Sequence, residues 1–252
     1  MASKLSKEEA QEALNTLQQI KAQKEKELKQ YTKSQTFLFD RMLAMSPGLT
    51  TIVGKPRQGK TIFCACFVKY AMEKKHYDKV WVVSPSIHTG FWTRNGIKKD
   101  SQVETLGPEA MEKLIKMQKE AKKRPSILLV LDDILASDLS SKDSHLLTKM
   151  VSIMRHLNIT PIVISQTVTR IPMILRNSAD FFVAYRQVGH KAMETLFENI
   201  SMGEIDRKDF YTQFVEDTQD HCCIVLDNTT DDISKRYHRF KADPAFFKVK
   251  LK

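Results

Sequence analysis

Residues 54–61 read Gly54-Lys55-Pro56-Arg57-Gln58-Gly59-Lys60-Thr61, and this stretch decides the fold. It fits G-x-x-x-x-G-K-[ST], a loop whose backbone N–H groups close round a polyphosphate. In that pattern Lys60 reaches the β- and γ-phosphates and the Thr61 hydroxyl holds Mg²⁺. The neighbours supply the context the mechanism requires. Leu49-Thr50-Thr51-Ile52-Val53 is a β-branched run that reads as a strand, and Ile62-Phe63-Cys64-Ala65-Cys66-Phe67-Val68-Lys69-Tyr70-Ala71-Met72 can continue as a buried helix.

Outward from the loop, short apolar strands alternate with helices. Strands are expected at Val80-Trp81-Val82-Val83-Ser84, Ile127-Leu128-Leu129-Val130-Leu131, Pro161-Ile162-Val163-Ile164-Ser165 and Phe181-Phe182-Val183-Ala184-Tyr185. Helices are expected at 108–123, at 143–157 (with Leu146, Leu147, Met150, Ile153, Met154 and Leu157 on one face), near 189–200 and near 204–217. Cys222-Cys223-Ile224-Val225-Leu226 and Tyr237-His238-Arg239-Phe240 read as a closing strand pair. Continuous apolar strands between helices predict an α/β fold with a mostly parallel sheet covered on both faces. Ligands then bind beyond the carboxyl ends of the strands. Residues 1–44 read as an N-terminal helical arm, with capping-box spacing at Ser6 and Glu9 and an approximate heptad of Leu14, Leu17, Leu28 and Tyr31 broken by Lys21 and Lys24. It fits either a surface helix or an oligomer or DNA contact. Residues 45–245 form the expected ATPase domain, and residues 246–252 a basic C-terminal tail.

The chain has 252 residues, enough to bury a full core. A net charge of +10 favours a polyanionic partner, nucleic acid ahead of an acidic membrane; a solvated lysine-rich surface is the alternative. Cys64, Cys66, Cys222 and Cys223 form no C-x-x-C pair and read as small buried hydrophobes in a reducing compartment. No signal peptide or membrane span is expected, so the protein is expected to be soluble and to stay on the cytosolic side.

Asp132 and Asp133 follow the strand ending at Leu131. Two adjacent carboxylates at the tip of a buried strand need partners or work. Beside a phosphate loop they read as a Walker B pair, with Asp132 on Mg²⁺ and Asp133 on the attacking water. Asp133 is shorter than the usual Glu. Gln166 ends the next strand and is placed to sense a γ-phosphate or position water. Arg155 precedes that strand and points off the apolar helix face, so it is either a solvated surface arginine or a finger acting on a neighbouring subunit; Arg170, Arg176 and Arg186 are rivals.

The order of residues 54–61, Leu131-Asp132-Asp133, Arg155-His156-Leu157-Asn158-Ile159, Ser165-Gln166 and Ile171-Pro172 with Arg176-Asn177 resembles the FtsK/HerA superfamily of DNA-pumping ATPases. It looks most like the poxvirus-type genome-packaging ATPases of large DNA viruses and virophages, over residues 45–245. The resemblance implies a RecA/ASCE-like P-loop NTPase with Walker A at Gly54, Lys55, Pro56, Arg57, Gln58, Gly59, Lys60 and Thr61. It also implies ATP and Mg²⁺ as cofactors, Asp132 and Thr61 on the metal, and Lys60, Asp133, Gln166 and a trans finger Arg155 as catalytic residues. The expected activity is threading double-stranded DNA into a preformed capsid by a homo-oligomeric ring of five or six subunits. Such a motor is expected in the host cytoplasm (the viral factory) or at the virion vertex, against a capsid, portal-vertex or membrane component. DNA contacts are sought among Lys113, Lys116, Lys119, Lys122, Lys123 and Arg124, among Arg94, Lys98 and Lys99, and in the basic C-terminal end.

Other classes fit less well. A nucleoside kinase is poorly served by the Asp-Asp strand tip. The guanine motif N-K-x-D and the ABC signature Leu-Ser-Gly-Gly are absent. A nucleotide-dependent scaffold does not need intact Lys60, Thr61, Asp132 and Asp133. A helicase or conjugation-type DNA pump shares the core chemistry and stays open.

Overall fold

The computed structural model describes residues 7–105, 107–134, 148–149, 151–200, 206–232 and 235–251. Ser6, Leu146, Leu147, Met150 and residues 204–205 lie outside the described residues, as do the side chains of Lys21, Lys24, Leu28 and Tyr31. The chain divides into two compact units, residues 1–41 and 42–252. The first is almost entirely helix α1, which runs Lys7–Ala44. Leu14 and Leu17 on it are 48 and 63% exposed.

The second unit is built on a sheet with eight strands among the described residues, ordered β3-β2-β4-β5-β1-β6-β7-β8. These are β1 Thr50–Val53, β2 Lys79–Val83, β3 Gln102–Val103, β4 Ile127–Asp132, β5 Ile159–Ser165, β6 Phe181–Tyr185, β7 Cys222–Asp227 and β8 Tyr237–Lys241. The first six in that order run parallel, and β7 and β8 close the edge antiparallel. The mostly parallel sheet was legible because β4, β5 and β6 are buried at every position. The two-residue β3 carried no sequence signal.

Strand alternation divides the core. Leu129, Leu131, Val163, Phe182 and Leu226 share one apolar cluster with Leu114 of helix Pro108–Glu120, Leu196 of helix His190–Ile200 and Phe210 and Phe214 of helix Arg207–Asp217. Their strand neighbours Ile52, Val130, Ile164 and Val225 are equally buried on the other face. Helix α2 (Lys60–Glu73) packs against that second face and touches β5. The Phe63 ring on α2 meets Phe240 of β8 edge-on at 5.0 Å. Asp132 alternates with Leu131 and therefore points to the α2 face. The cysteines are buried as expected, and burial pushes the Cys64, Cys66 and Cys223 thiols up, Cys66 to about 12.

Over its described part, the basic C-terminal segment 246–251 is docked on the fold. Phe247 and Val249 are buried, and Phe247 stacks edge-on against Tyr70 of α2 at 5.9 Å. The intervening Lys248 and Lys250 face outward, and these charges hid the apolar alternation. Phe247→Ala should therefore lower unfolding stability by about 3 kcal/mol, the usual loss for a core phenylalanine. Denaturant titration measures it, and a near-zero change would contradict the docked segment.

Candidate active site

The parallel order β4-β5-β1 sets three loop tips side by side at the carboxyl edge of the sheet. The residues 54–61 loop leaves β1, Asp132 and Asp133 end β4, and Gln166 follows β5 between them. The strand between the two Walker strands thus carries Gln166 into the middle of the site.

The loop is held from both sides. Gly54 N–H donates to the Ser165 carbonyl at 3.2 Å. A Cβ at Gly54 would sit 2.4 Å from the Tyr185 Cβ, so no side chain fits there. The Tyr185 hydroxyl donates to the Gly59 carbonyl at 3.3 Å. Gly59, at φ 111, turns the chain into α2. Lys55, Pro56 and Arg57 are exposed on the rim, Gln58 and Gly59 are half-buried, and Lys60 is 7% exposed. The Lys60 ammonium donates to the Lys55 carbonyl at 3.0 Å. Burial lowers its pKa, opposed by the attraction of Asp133 and Asp132.

Asp132 is 3% exposed. Its Oδ1 accepts from the Thr61 hydroxyl at 3.3 Å. Its Oδ2 accepts from the Ser84 hydroxyl at 3.4 Å and from the indole N–H of Trp92 at 3.3 Å. Burial, reinforced by Asp133, pushes its pKa up to about 6 despite those three donors. Asp133 stands in the left-handed region at φ 60, a geometry that costs a non-glycine residue about 1 kcal/mol and gathers at functional sites. That turn places Asp133 Oδ2 2.6 Å from the donating Nε2 of Gln166. The other oxygen, Oδ1, is buried without a hydrogen-bond partner. Gln187 donates in turn to the Gln166 carbonyl at 3.4 Å.

These groups fit a nucleotide and its cation. Thr61 Oγ1 and Asp132 Oδ1 are two adjoining oxygen donors, the kind of partial shell Mg²⁺ takes when phosphate oxygens complete it. The orphaned Asp133 Oδ1 is a further buried acceptor on the next residue. When bound, the cation would neutralise charge on the phosphates. With both groups bound, Lys60 would face the phosphates and Asp132 and Thr61 the metal, while Gln166 is already held against the Asp133 carboxylate.

Arg155 lies elsewhere. It opens a short 3-10 turn (Arg155–Leu157) before β5, at the amino edge of the sheet. Seven residues of strand separate it from Gln166, roughly 20 Å at ~3.3 Å per residue. Its side chain is 58% exposed, and one terminal nitrogen donates to both oxygens of Asp180 at 2.7 Å. Of its rivals, Arg176 is half-buried with Nε unpartnered and donates to the Val168 carbonyl at 3.2 Å, a packing role. Arg170 and Arg186 follow β5 and β6 at the carboxyl edge, on the side of their own loop. Sequence reasoning missed Ser84, Trp92 and Tyr185. Ser84 and Tyr185 sit at the carboxyl ends of recognised strands, where ligand-facing residues belong. Trp92 carried no signal.

Set beside known proteins, residues 34–216 match the family model described as Poxvirus A32 protein. The chain belongs to that family. No curated protein matches the sequence. The fold is similar to that of B204, the DNA-packaging ATPase of Sulfolobus turreted icosahedral virus, with a TM-score of 0.56 and 14% identity over 79% of this chain and 98% of that one. The genome-packaging NTPase B204 of Sulfolobus turreted icosahedral virus 2, in complex with AMPPCP, gives 0.56 at 13% identity over 79% and 100%. The pCW3 conjugation coupling protein TcpA, with ATPγS, gives 0.51 at 12% identity over 80% of this chain and 62% of that one. The architecture of this A32-family chain is that of a packaging-type P-loop ATPase. Among the described residues no helix is long and apolar enough to cross a membrane.

The raised pKa of Asp132 gives a sign to the pH dependence. In the unfolded chain Asp132 ionises near its ordinary value of 3.8, and in the fold near 6. The folded state holds the extra proton between those values, so stability falls as pH rises from about 4 to about 6. In Mg²⁺-free buffer, calorimetry should show Asp132→Asn raising the melting temperature above pH 6 and leaving it little changed at pH 4.

Proposed function

We propose that this chain is the ATPase subunit of a homo-oligomeric motor that drives double-stranded DNA into a preformed viral capsid. One observation carries the reading: the residues proposed as catalytic lie at two opposite edges of one sheet. Lys60, Thr61, Asp132, Asp133 and Gln166 converge at the carboxyl edge, while Arg155 is exposed at the amino edge, too far to reach its own nucleotide. In a ring, the amino edge of one subunit faces the carboxyl edge of the next, and Arg155 then serves the neighbour's γ-phosphate. ATP and Mg²⁺ are the cofactors, with Asp133 taking the proton of the attacking water while Gln166 fixes its carboxylate. Family membership and the fold shared with viral packaging ATPases support this reading. A ring of five or six subunits acts in the infected cell's cytoplasm or at the virion vertex, docked on a capsid, portal-vertex or membrane component.

The fold shared with the conjugation coupling protein TcpA favours a second reading, a DNA pump that serves no capsid. The two separate on whether purified chain loads DNA into empty capsids.

Lys60→Ala should lower ATP turnover at least a hundredfold in a coupled phosphate-release assay, and duplex DNA should raise the wild-type rate. Full turnover in Lys60→Ala overturns the ATPase reading. Mixing Arg155→Ala subunits with Asp133→Ala subunits should restore a measurable fraction of hydrolysis, because some interfaces then pair an intact finger with an intact loop. Mixed rings of verified composition without rescue overturn the trans role.

A further inference from the structure

Three basic segments are candidates for gripping a polyanion, and the structure sorts them. Lys122, Lys123 and Arg124 precede β4 at the amino edge. There the Arg124 guanidinium is engaged by the carbonyls of Gln118 and His156, at 3.2 and 2.7 Å. Lys116 pairs with Glu120 at 3.9 Å. The other two segments come together. Asn95 is 2% exposed; its side chain accepts the Lys250 N–H at 2.9 Å and donates to the Lys250 carbonyl at 3.4 Å. The docked C-terminal segment therefore runs beside the turn that carries Arg94, Lys98 and Lys99, and all four cations are exposed, although Arg94 also donates from one terminal nitrogen to the Thr89 carbonyl at 3.0 Å. Gln102 staples that turn from beneath, donating to the carbonyls of Ile97 and Lys98 and to the Thr93 hydroxyl at 2.8, 3.3 and 3.0 Å. Asp100 is the only acid among residues 91–102.

The same turn reaches the active site. Trp92, two residues before Arg94, is 1% exposed and donates its indole N–H to Asp132 Oδ2 at 3.3 Å. The short helix Phe91–Arg94 that holds both residues is closed off by Gly90 at φ 69 and Gly96 at φ 91. The indole that donates to Asp132 Oδ2 thus sits on the same short helix as Arg94, two residues away.

We infer that Arg94, Lys98, Lys99 and Lys250 form the grip on the DNA phosphate backbone, and that Trp92 is the positioning residue tying this grip to the Asp132 carboxylate. The inference rests on the motor reading above and names the surface through which it acts. Point charges on an exposed turn hold phosphates without reading base edges, so the grip is sequence-independent and salt-sensitive. With a cation held by the Asp132 carboxylate, that oxygen would be a poorer acceptor for the indole N–H, and the helix that carries Arg94 would be released to shift relative to the sheet.

The test uses the full chain and a labelled 30-base-pair duplex, with anisotropy read in Mg·ATPγS and in Mg·ADP across a salt series. In the wild type the two nucleotides should give different affinities. Lys98→Glu with Lys99→Glu should weaken binding at least tenfold in both states. The salt slope should also fall by about 2, since each phosphate left unneutralised removes about 0.9 from it. Lys122→Glu with Lys123→Glu should stay near the wild type. Trp92→Phe should bring the ratio between the two nucleotide states close to one. The chain has two tryptophans, so in a Trp81→Phe background Trp92 is the sole emitter, and its fluorescence should change on adding Mg·ATPγS. Wild-type affinity and slope in the Lys98/Lys99 variant overturn the grip. An unchanged nucleotide ratio in Trp92→Phe, or silent Trp92 emission, overturns the coupling. Absence of DNA binding by the wild type in either state instead overturns the motor reading itself.

Discussion

A carboxylate sealed inside the sheet is the constraint on which the rest of this structure turns. Asp132 leaves the end of β4 on the face covered by α2, where water cannot solvate it. Its two oxygens are held by donors from three separate segments: Thr61 at the head of α2, Ser84 beyond β2 and Trp92 on the following turn. Hydrogen bonds to a buried anion are stronger than those to a neutral acceptor, and leaving such an anion unpaired costs several kcal/mol. Each of the three segments is therefore fixed relative to β4. The bonds offset only part of the burial cost, as the upward pKa shows. The site is built to be completed by positive charge.

Most of this frame is written in the local chemistry of the chain. The loop at 54–61 needs particular residues at particular spacings, and the buried parallel strands advertise themselves as unbroken apolar runs. Asp132, Asp133 and Gln166 stand at strand ends, where an α/β sheet concentrates its ligand-facing side chains. Other features depend on contacts that no local pattern encodes. Trp92 joins the site because residues 84–102 fold back over β4, a long-range fact, and its sequence neighbours read as an ordinary loop. The 246–251 segment reads as basic because Lys248 and Lys250 outweigh Phe247 and Val249 in composition, although the apolar pair decides where it packs. Tyr185 reads as core and is core, yet its contact with Gly54 and its hydroxyl on Gly59 also set the loop's position.

The strand order explains why one residue can watch both halves of the site. In a sheet where the two Walker strands were adjacent, Gln166 would fall outside them. Here β5 stands between β4 and β1, and its tip reaches the Asp133 carboxylate while its backbone anchors the Walker A loop through Ser165. The loop and the Asp133 carboxylate are thus supported by the same strand end.

The pairing of Arg155 with Asp180 has a consequence for assembly. A free arginine surrenders up to ~2 kcal/mol of rotamer entropy when it is immobilised. In this chain the guanidinium is already ordered on a carboxylate that is itself fixed by the Leu49 N–H at 2.7 Å. Any phosphate that met it would exchange one anion for another, and the ordering cost falls on the folding of the chain itself. In the proposed ring, contact between subunits would then trade partners at a preset position, an exchange shallow in energy and repeatable with each nucleotide.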